Sequence, residues 1–216
     1  MESKSEHETD SEQPPKKKSA LRENIEAIIV AIILALFIRT FVVQAFKIPS
    51  GSMKNTLLIG DHILVNKFIY GVKMPFADTT IIPVKEPKRG DIVVFRFPEE
   101  PDKDFIKRVV GVPGDIVEIQ RKQVFVNGKP LNDDYGIHTD PHVIPGALQP
   151  RDNFGPVRVP EEKLFVMGDN RDHSYDSRFW GFVGMDAVKG KAFMIYWSWD
   201  REDFGVRWGR IGDMIH

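Results

Sequence analysis

The chain has 216 residues, with 30 lysines and arginines against 31 aspartates and glutamates, and it contains no cysteine. This balance of charge gives no sign of a nucleic-acid partner, which usually requires a basic excess or stripe. The lack of cysteine excludes a thiolate nucleophile, a structural disulfide and a zinc site with cysteine ligands. The length suits one domain with a modest sub-domain.

The first 20 residues are polar, with two adjacent prolines and a run of three lysines. Such a segment has too little apolar surface to fold by itself. We predict a disordered tail over residues 1–20.

An apolar segment follows over residues 25–46. As a helix its 22 residues would span about 33 Å, enough to cross a bilayer, with Glu26 and Arg39 as its charged positions. We predict one transmembrane helix over residues 21–46, with a buried helix of a soluble core as the alternative. A cleaved signal peptide is disfavoured, because no small-x-small site follows the apolar core.

Basic residues on the two flanks of this segment predict its orientation. Residues 16–18 and Arg22 are basic and precede the apolar core, whereas Lys47 and Lys54 follow it. The excess on the N-terminal side places the N-terminus in the cytoplasm and the bulk of the chain outside.

After residue 46 the pattern changes to short apolar runs with period two, which are typical of strands. These runs are residues 61–65, 91–97, 105–110, 117–119, 123–126, 163–167 and 191–197. No helical pattern of about 10 to 15 residues separates them, which disfavours a parallel α/β sheet. We predict a mainly β domain over residues 47–216, an antiparallel barrel or sandwich. A small loop-rich sub-domain is expected at about 119–162.

The tripeptide Ser50-Gly51-Ser52 is the first candidate for chemistry. Gly51 lets the backbone turn sharply, which can expose a hydroxyl. Ser52 could attack a carbonyl while its own N–H and the Ser50 hydroxyl stabilise the oxyanion. The alternative is a plain turn between a helix and a strand.

Lys107 is the second candidate, because it lies in a predicted strand among apolar residues. A buried lysine is costly unless it loses its proton, and a neutral lysine is a general base that can activate a serine. Period two puts Lys107 on one face with Phe105 and Val109, and Arg108 on the other. One of the two cations must therefore have an unusual environment, or one face of the sheet is solvated.

The third candidate is the polar segment over residues 168–178. His173 with Asp169 or Asp172 would suggest a Ser-His-Asp triad. Neighbouring side chains of an extended segment point in opposite directions, which disfavours a site shared by His173 and Ser174. The aspartates lack the spacing of a calcium loop, so a metal site is disfavoured and an ion-paired loop is the alternative.

Four motifs in this order behind one apolar helix resemble those of the bacterial type I signal peptidases, or leader peptidases. The motifs are residues 48–53, 89–95, 105–115 and 168–178, and the likeness covers about residues 21–216. It implies a serine endopeptidase of the inner (cytoplasmic) membrane, with its catalytic domain outside, that cleaves signal peptides from exported preproteins after small-x-small sites. Its partners would be those signal peptides and the lipid bilayer, with no cofactor, metal or nucleic acid.

The resemblance also implies roles for the candidate residues. Ser52 matches the nucleophile and Lys107 the general base, so the pKa of Lys107 must lie well below its usual range. Ser50 matches a serine that helps the Ser52 N–H to hold the oxyanion. Asn55 replaces a proline that is common in the family.

Further positions match residues that support the family's site. Ser174 matches a serine that orients the lysine, and Asp176 and Arg178 match a supporting ion pair. Tyr175 is larger than its counterpart in some relatives and could narrow a pocket. The residues that match the substrate pockets for small side chains are Phe46, Ile48, Pro49, Leu57, Ile63, Phe105 and Ile106.

Two alternatives to this function stay open. One keeps the chemistry in a self-cleaving regulator or a specialised pilin-type processor, and the other is a membrane-tethered β-rich binding protein.

An aromatic group near the C-terminus also has two interpretations. It packs in the core, which we favour, or it forms a belt at the lipid interface. Its members are Tyr196, Trp197, Trp199, Phe204 and Trp208.

Overall fold

The computed structural model of the chain describes residues 20–37, 42–73, 80–82 and 85–216. The predicted tail over residues 1–20 lies outside the described residues, apart from Ala20. The chain divides into two compact units, Met1–Phe37 and Ile38–His216.

The first unit contains helix α1 (Ala20–Phe37), and the second contains a single turn of helix, α2 (Ser177–Trp180). Large apolar side chains of α1 are exposed by 48% to 71%. Among the described residues, no helix combines the length and the apolar character that a membrane crossing requires.

The second unit is built mainly from strands. In chain order they are β1 (Val43–Lys47), β2 (Asp61–Asn66), β3 (Val72–Lys73), β4 (Thr80–Ile82), β5 (Ile92–Arg96), β6 (Asp104–Gly111), β7 (Ile116–Gln120), β8 (Gln123–Val126), β9 (Lys129–Pro130), β10 (Phe154–Arg158), β11 (Lys163–Met167), β12 (Val183–Gly184), β13 (Val188–Asp200) and β14 (Gly205–Val206). Short 3₁₀ turns lie at Phe68–Tyr70, Arg171–His173, Met185–Ala187 and Trp208–Arg210.

The largest sheet has eight strands in the order β1-β2-β13-β5-β6-β11-β12, with β14 also paired to β13. The pairings are antiparallel, which confirms the predicted mainly β, antiparallel class. The predicted barrel is wrong, because β1 and β12 end the sheet and do not pair with each other among the described strands. The sheet is therefore open.

A second sheet, in the order β10-β7-β8-β9, packs against the first. Strands β7 and β8 form an antiparallel hairpin, with Val117 opposite Val126. Apolar residues of both sheets form one cluster, made of Val110, Val117, Ile119, Val124, Val126, Val159, Phe165 and Met167. Residues 119–162 therefore share a core with the main sheet and belong to the same compact unit.

The predicted helix over residues 21–46 is wrong in its last part, because Val43–Lys47 forms strand β1. Phe46 lies opposite Ile63 of β2 and packs against the cluster that contains Ile63. A short apolar run does not distinguish helix from strand, and here the pairing with β2 decides.

Strand β6 has different neighbours along its two edges. One edge pairs with β5 from Asp104 to Arg108, whereas the other pairs with β11 from Arg108 to Gly111. Along residues 104–107 the second edge has no strand partner among the described residues. Lys107 lies at the end of this unpaired stretch.

Candidate active site

Ser52 and Lys107 meet although 55 residues separate them in the chain. Ser52 lies in the loop between β1 and β2, and Lys107 lies on β6. The Nζ of Lys107 is 2.9 Å from the Oγ of Ser52 and donates to the carbonyl oxygen of Ile106 at 3.0 Å. Only 4% of Lys107 and 9% of Ser52 is exposed, so solvent has little access to the contact.

Burial lowers the pKa of Lys107 from 10.5 to about 8. Desolvation of the ammonium is the largest cause, and the carboxylates of Asp176 and Asp169 oppose it. No carboxylate of the described residues lies within ion-pair distance of Nζ. Near neutral pH the amine is therefore neutral far more often than that of a solvated lysine.

Arg108, the next residue, is buried on the opposite face of β6. Its Nε and Nη2 contact the two carboxylate oxygens of Asp169 at 2.8 and 2.7 Å. Its Nη1 donates to the backbone oxygens of Gly90 and His216, both at 2.8 Å. Both faces of β6 thus bury a basic side chain, and of the two only Arg108 pairs with an anion among the residues that the structure describes.

Asn170 holds the loop that carries Ser52. Its backbone N–H donates to the Ser52 carbonyl oxygen at 3.0 Å, and its Nδ2 donates to the Gly51 carbonyl oxygen at 3.1 Å. The Oγ of Ser50 lies 3.4 Å from that of Ser52. Asn170 was not singled out from the sequence, because these contacts join segments more than 100 residues apart.

Gly168 lies where the segments of Ser52 and Ser174 converge. A Cβ at Gly168 would be 2.3 Å from the Ser174 Oγ and 2.4 Å from the Ser52 carbonyl oxygen. The Ser174 hydroxyl is buried and makes no hydrogen bond to the amine of Lys107 in the described part of the chain. The structure thus brings Ser174 to the site without a hydrogen bond to Lys107. Only a residue without a side chain allows this close packing.

The Asp176–Arg178 pair anchors the same segment. Nε and Nη2 of Arg178 each lie 2.8 Å from the Asp176 carboxylate, which also accepts the Gly168 N–H at 3.0 Å. Burial alone would raise the pKa of Asp176, but the Arg178 guanidinium outweighs it and holds that pKa below its usual range. The ion pair thus fixes both ends of the turn that contains Ser174.

The residues expected at the substrate pockets fall into two groups. Ile48, Leu57 and Ile63 are no more than 2% exposed and belong to the core beneath the site. The other four, Phe46, Pro49, Phe105 and Ile106, are partly or fully exposed. Only this second group can contact a ligand without rearrangement of the core.

His173 does not take part in a triad in this structure. Its side chain is exposed, whereas Asp169 is paired with Arg108 and Asp172 lies 2.9 Å from Lys122. Both carboxylates that could have oriented the His173 ring are therefore paired with other side chains.

A model of the family "Signal peptidase, peptidase S26" matches residues 21–197. This chain belongs to the signal peptidase family. A signal peptidase I of Pseudomonas fluorescens is 38% identical over 213 residues, which cover 85% of this chain and 75% of the relative. A probable signal peptidase I-2 of Synechocystis is 39% identical over 193 residues, with 84% and 78% covered. A crystal structure of a signal peptidase I from Enterococcus faecalis is 32% identical and covers 50% of this chain and 97% of its own, with a TM-score of 0.40.

Family membership confirms the resemblance drawn from the four motifs. It makes the chain a hydrolase and a serine protease of the signal peptidase I type. The family model also includes most of the segment from α1 to β13, so both Ser52 and Lys107 lie inside the matched region.

Gly168→Ala should impair the peptidase through steric displacement. The new methyl group meets the Ser52 carbonyl oxygen, a backbone atom that cannot rotate away, so we expect a loss of about 1 to 3 kcal/mol in stability and a large fall in kcat. Gly209→Ala is the matched control, because nothing lies within 4 Å of its added Cβ. Urea unfolding and peptide cleavage measure both effects, and equal behaviour of the two variants would contradict the crowding at Gly168.

Lys107→Met should stabilise the protein near neutral pH. The pKa of Lys107 is about 8 in the folded chain and 10.5 when solvated, so between these values the unfolded chain binds more protons and wild-type stability rises with pH. The variant should exceed wild type by about 1 to 3 kcal/mol below pH 8, and the difference should shrink toward pH 10.5. Chemical denaturation from pH 6.5 to 10.5 tests this prediction. A difference in the free energy of unfolding that stays constant with pH would mean that burial does not shift the pKa of Lys107.

Proposed function

We propose that the chain is a membrane-anchored serine endopeptidase that cleaves signal peptides from exported preproteins after small-x-small sites, with Ser52 and Lys107 as its catalytic dyad. The observation that carries the proposal is the 2.9 Å contact between the Ser52 hydroxyl and a buried amine of lowered pKa. A serine needs such a base to become nucleophilic.

In the acylation step, the Ser52 Oγ bonds to the scissile carbonyl carbon while its proton passes to the neutral Nζ of Lys107. The carbonyl oxygen becomes an oxyanion, held by the Ser52 N–H and the Ser50 hydroxyl. That N–H donates to no other group in the described part of the chain. The C–N bond then breaks, and the Lys107 ammonium returns its proton to the leaving amine.

Deacylation reuses the same base. Water attacks the Ser52 ester while Lys107 takes the water proton, and the Ser52 oxygen leaves and is reprotonated. In this cycle Ser174 orients the amine, and Asp176 with Arg178 keeps Ser174 in place. The buried position of Ser174, 6% exposed beside Gly168, supports this role.

The unpaired edge of β6 over residues 104–107 supports binding of an extended substrate. Backbone N–H and C=O groups on such an edge can pair with a peptide as an added strand. Phe46 and Ile106 are partly buried and pack on the same core cluster, and we propose that they leave room for small side chains only. Small residues next to the cleavage site suit this surface.

The exposed apolar surfaces support attachment to lipid. Helix α1 exposes large apolar side chains, and the aromatic group near the C-terminus is exposed by 37% to 81%. The favoured prediction that this group packs in the core is therefore wrong. We propose a cytoplasmic tail over residues 1–20, a membrane anchor over the apolar residues that precede β1, and a catalytic domain from β1 onward on the outer side of the inner (cytoplasmic) membrane.

Cleavage of a purified preprotein with an Ala-x-Ala site tests the dyad directly. In detergent we expect wild type to cut after the second alanine and Ser52→Ala and Lys107→Ala to lose at least about 10³-fold in kcat/KM. The rate of wild type should rise with pH through about 8 as Lys107 loses its proton.

His173→Ala is the matched control and should cut at the wild-type rate. Normal turnover by Lys107→Arg would contradict the role of Lys107 as the general base, since a guanidinium stays protonated and cannot accept the serine proton. Cleavage by Ser52→Ala and Lys107→Ala as well as by wild type would mean that another residue is the nucleophile.

Fluorescence quenching by brominated lipids tests contact of the aromatic group with the bilayer. Wild type in vesicles should be quenched, because Trp197, Trp199 and Trp208 are exposed. A variant with these three changed to phenylalanine keeps only Trp180 and should lose most of the quenching. Unquenched wild type would refute the contact.

A further inference from the structure

Thr56 connects the loop of the nucleophile to the opposite face of β6. It lies four residues after Ser52, and its Oγ1 donates to Oδ2 of Asp169 at 2.5 Å. The same hydroxyl lies 3.5 Å from Nη2 of Arg108. The loop is thus tied to a fully buried ion pair of the site.

This contact closes a ring of interactions around the dyad. Asp169 binds Arg108 through both oxygens, and Arg108 adjoins Lys107 on β6. Lys107 in turn contacts Ser52 at 2.9 Å. The nucleophile and its base are therefore joined twice, directly and through Thr56 on the other side of the strand.

The chain between Ser52 and Thr56 can transmit this restraint. The N–H of Leu57 donates to the carbonyl oxygen of Met53 at 2.8 Å, which closes a tight turn. Met53 and Leu57 are both 0% exposed and lie in the core cluster. A displacement of Thr56 therefore moves Ser52 as well.

A second contact holds Thr56 from the C-terminal segment. Its carbonyl oxygen accepts from Nη2 of Arg210 at 3.0 Å, and the same guanidinium contacts the buried carboxylate of Asp61 at 2.6 Å. Thr56 is thus held at two points, by Arg210 through its carbonyl oxygen and by Asp169 through its hydroxyl, and only the second contact reaches the Arg108 side of β6.

We propose that Thr56 is a positioning residue, whose hydroxyl sets the distance between Ser52 and Lys107 through the Asp169–Arg108 pair. The inference rests on the proposed function of the dyad. A hydroxyl bound to a carboxylate makes a short, strong hydrogen bond, and a misplacement of about 1 Å at a reacting atom costs about 10²-fold in rate.

The test compares Thr56→Val, which keeps the shape and removes the hydroxyl, with Thr56→Ser, which keeps the hydroxyl. On the Ala-x-Ala substrate we expect kcat of the valine variant to fall about 10- to 100-fold with KM changed less than about 3-fold. The serine variant should stay within about 3-fold of wild type. Thr56→Ala serves as a second hydroxyl-free variant if the valine variant does not fold.

Tyr70→Phe is the matched control, because it also removes a hydroxyl that donates to a carboxylate, that of Asp91 at 2.9 Å. Its kcat should equal that of wild type. All assays run below the melting temperatures measured for each variant, so that lost folding is not counted as lost rate.

If Thr56→Val kept the kcat of wild type, the proposed role of Thr56 would be wrong. Equal losses of kcat in the valine and serine variants would contradict it too. A rise in KM with kcat unchanged would also overturn it. Failure of wild type to cut the substrate is a separate result, which would overturn the proposed function and this inference with it.

Discussion

Strand β6 buries two neighbouring cations, one on each face, and the rest of the site depends on how each is accommodated. The pleat of the strand forces Lys107 and Arg108 to opposite sides. Arg108 stays charged because Asp169 pairs with both arms of its guanidinium, and removal of either partner of such a pair typically costs about 3 to 5 kcal/mol. Lys107 contacts no carboxylate of the described residues, and burial favours its neutral form.

The segment over residues 168–178 links these two environments. Asp169 reaches the Arg108 side, Asn170 holds the carbonyl groups of the nucleophile loop, and Asp176 binds Arg178 and the Gly168 N–H. One polar segment thus positions the loop of Ser52 relative to β6. Its density of charged side chains is explained by these restraints, since each buried polar group of the site needs a partner.

The contact between Ser52 and Lys107 is maintained at a cost to stability. Desolvation of an amine and close packing around a glycine both oppose folding, and both occur at the point where Ser52 and Ser174 meet. Active sites commonly carry such unfavourable groups, which the surrounding structure must offset. Here three apolar clusters and two buried ion pairs surround the site and provide that support.

The strands with period two, the antiparallel class and, through the motifs, the family and its candidate dyad could all be predicted from the order of the residues. These features are local, since alternation and turn residues act between near neighbours in the chain. Only the tertiary structure decided that the apolar run ends as strand β1, that Ile48 and Leu57 lie under the site, and that the C-terminal aromatic group is exposed. The contacts of Thr56, Gly168 and Asn170 also required it. Each depends on pairing or packing between segments far apart in the chain, which no local pattern specifies.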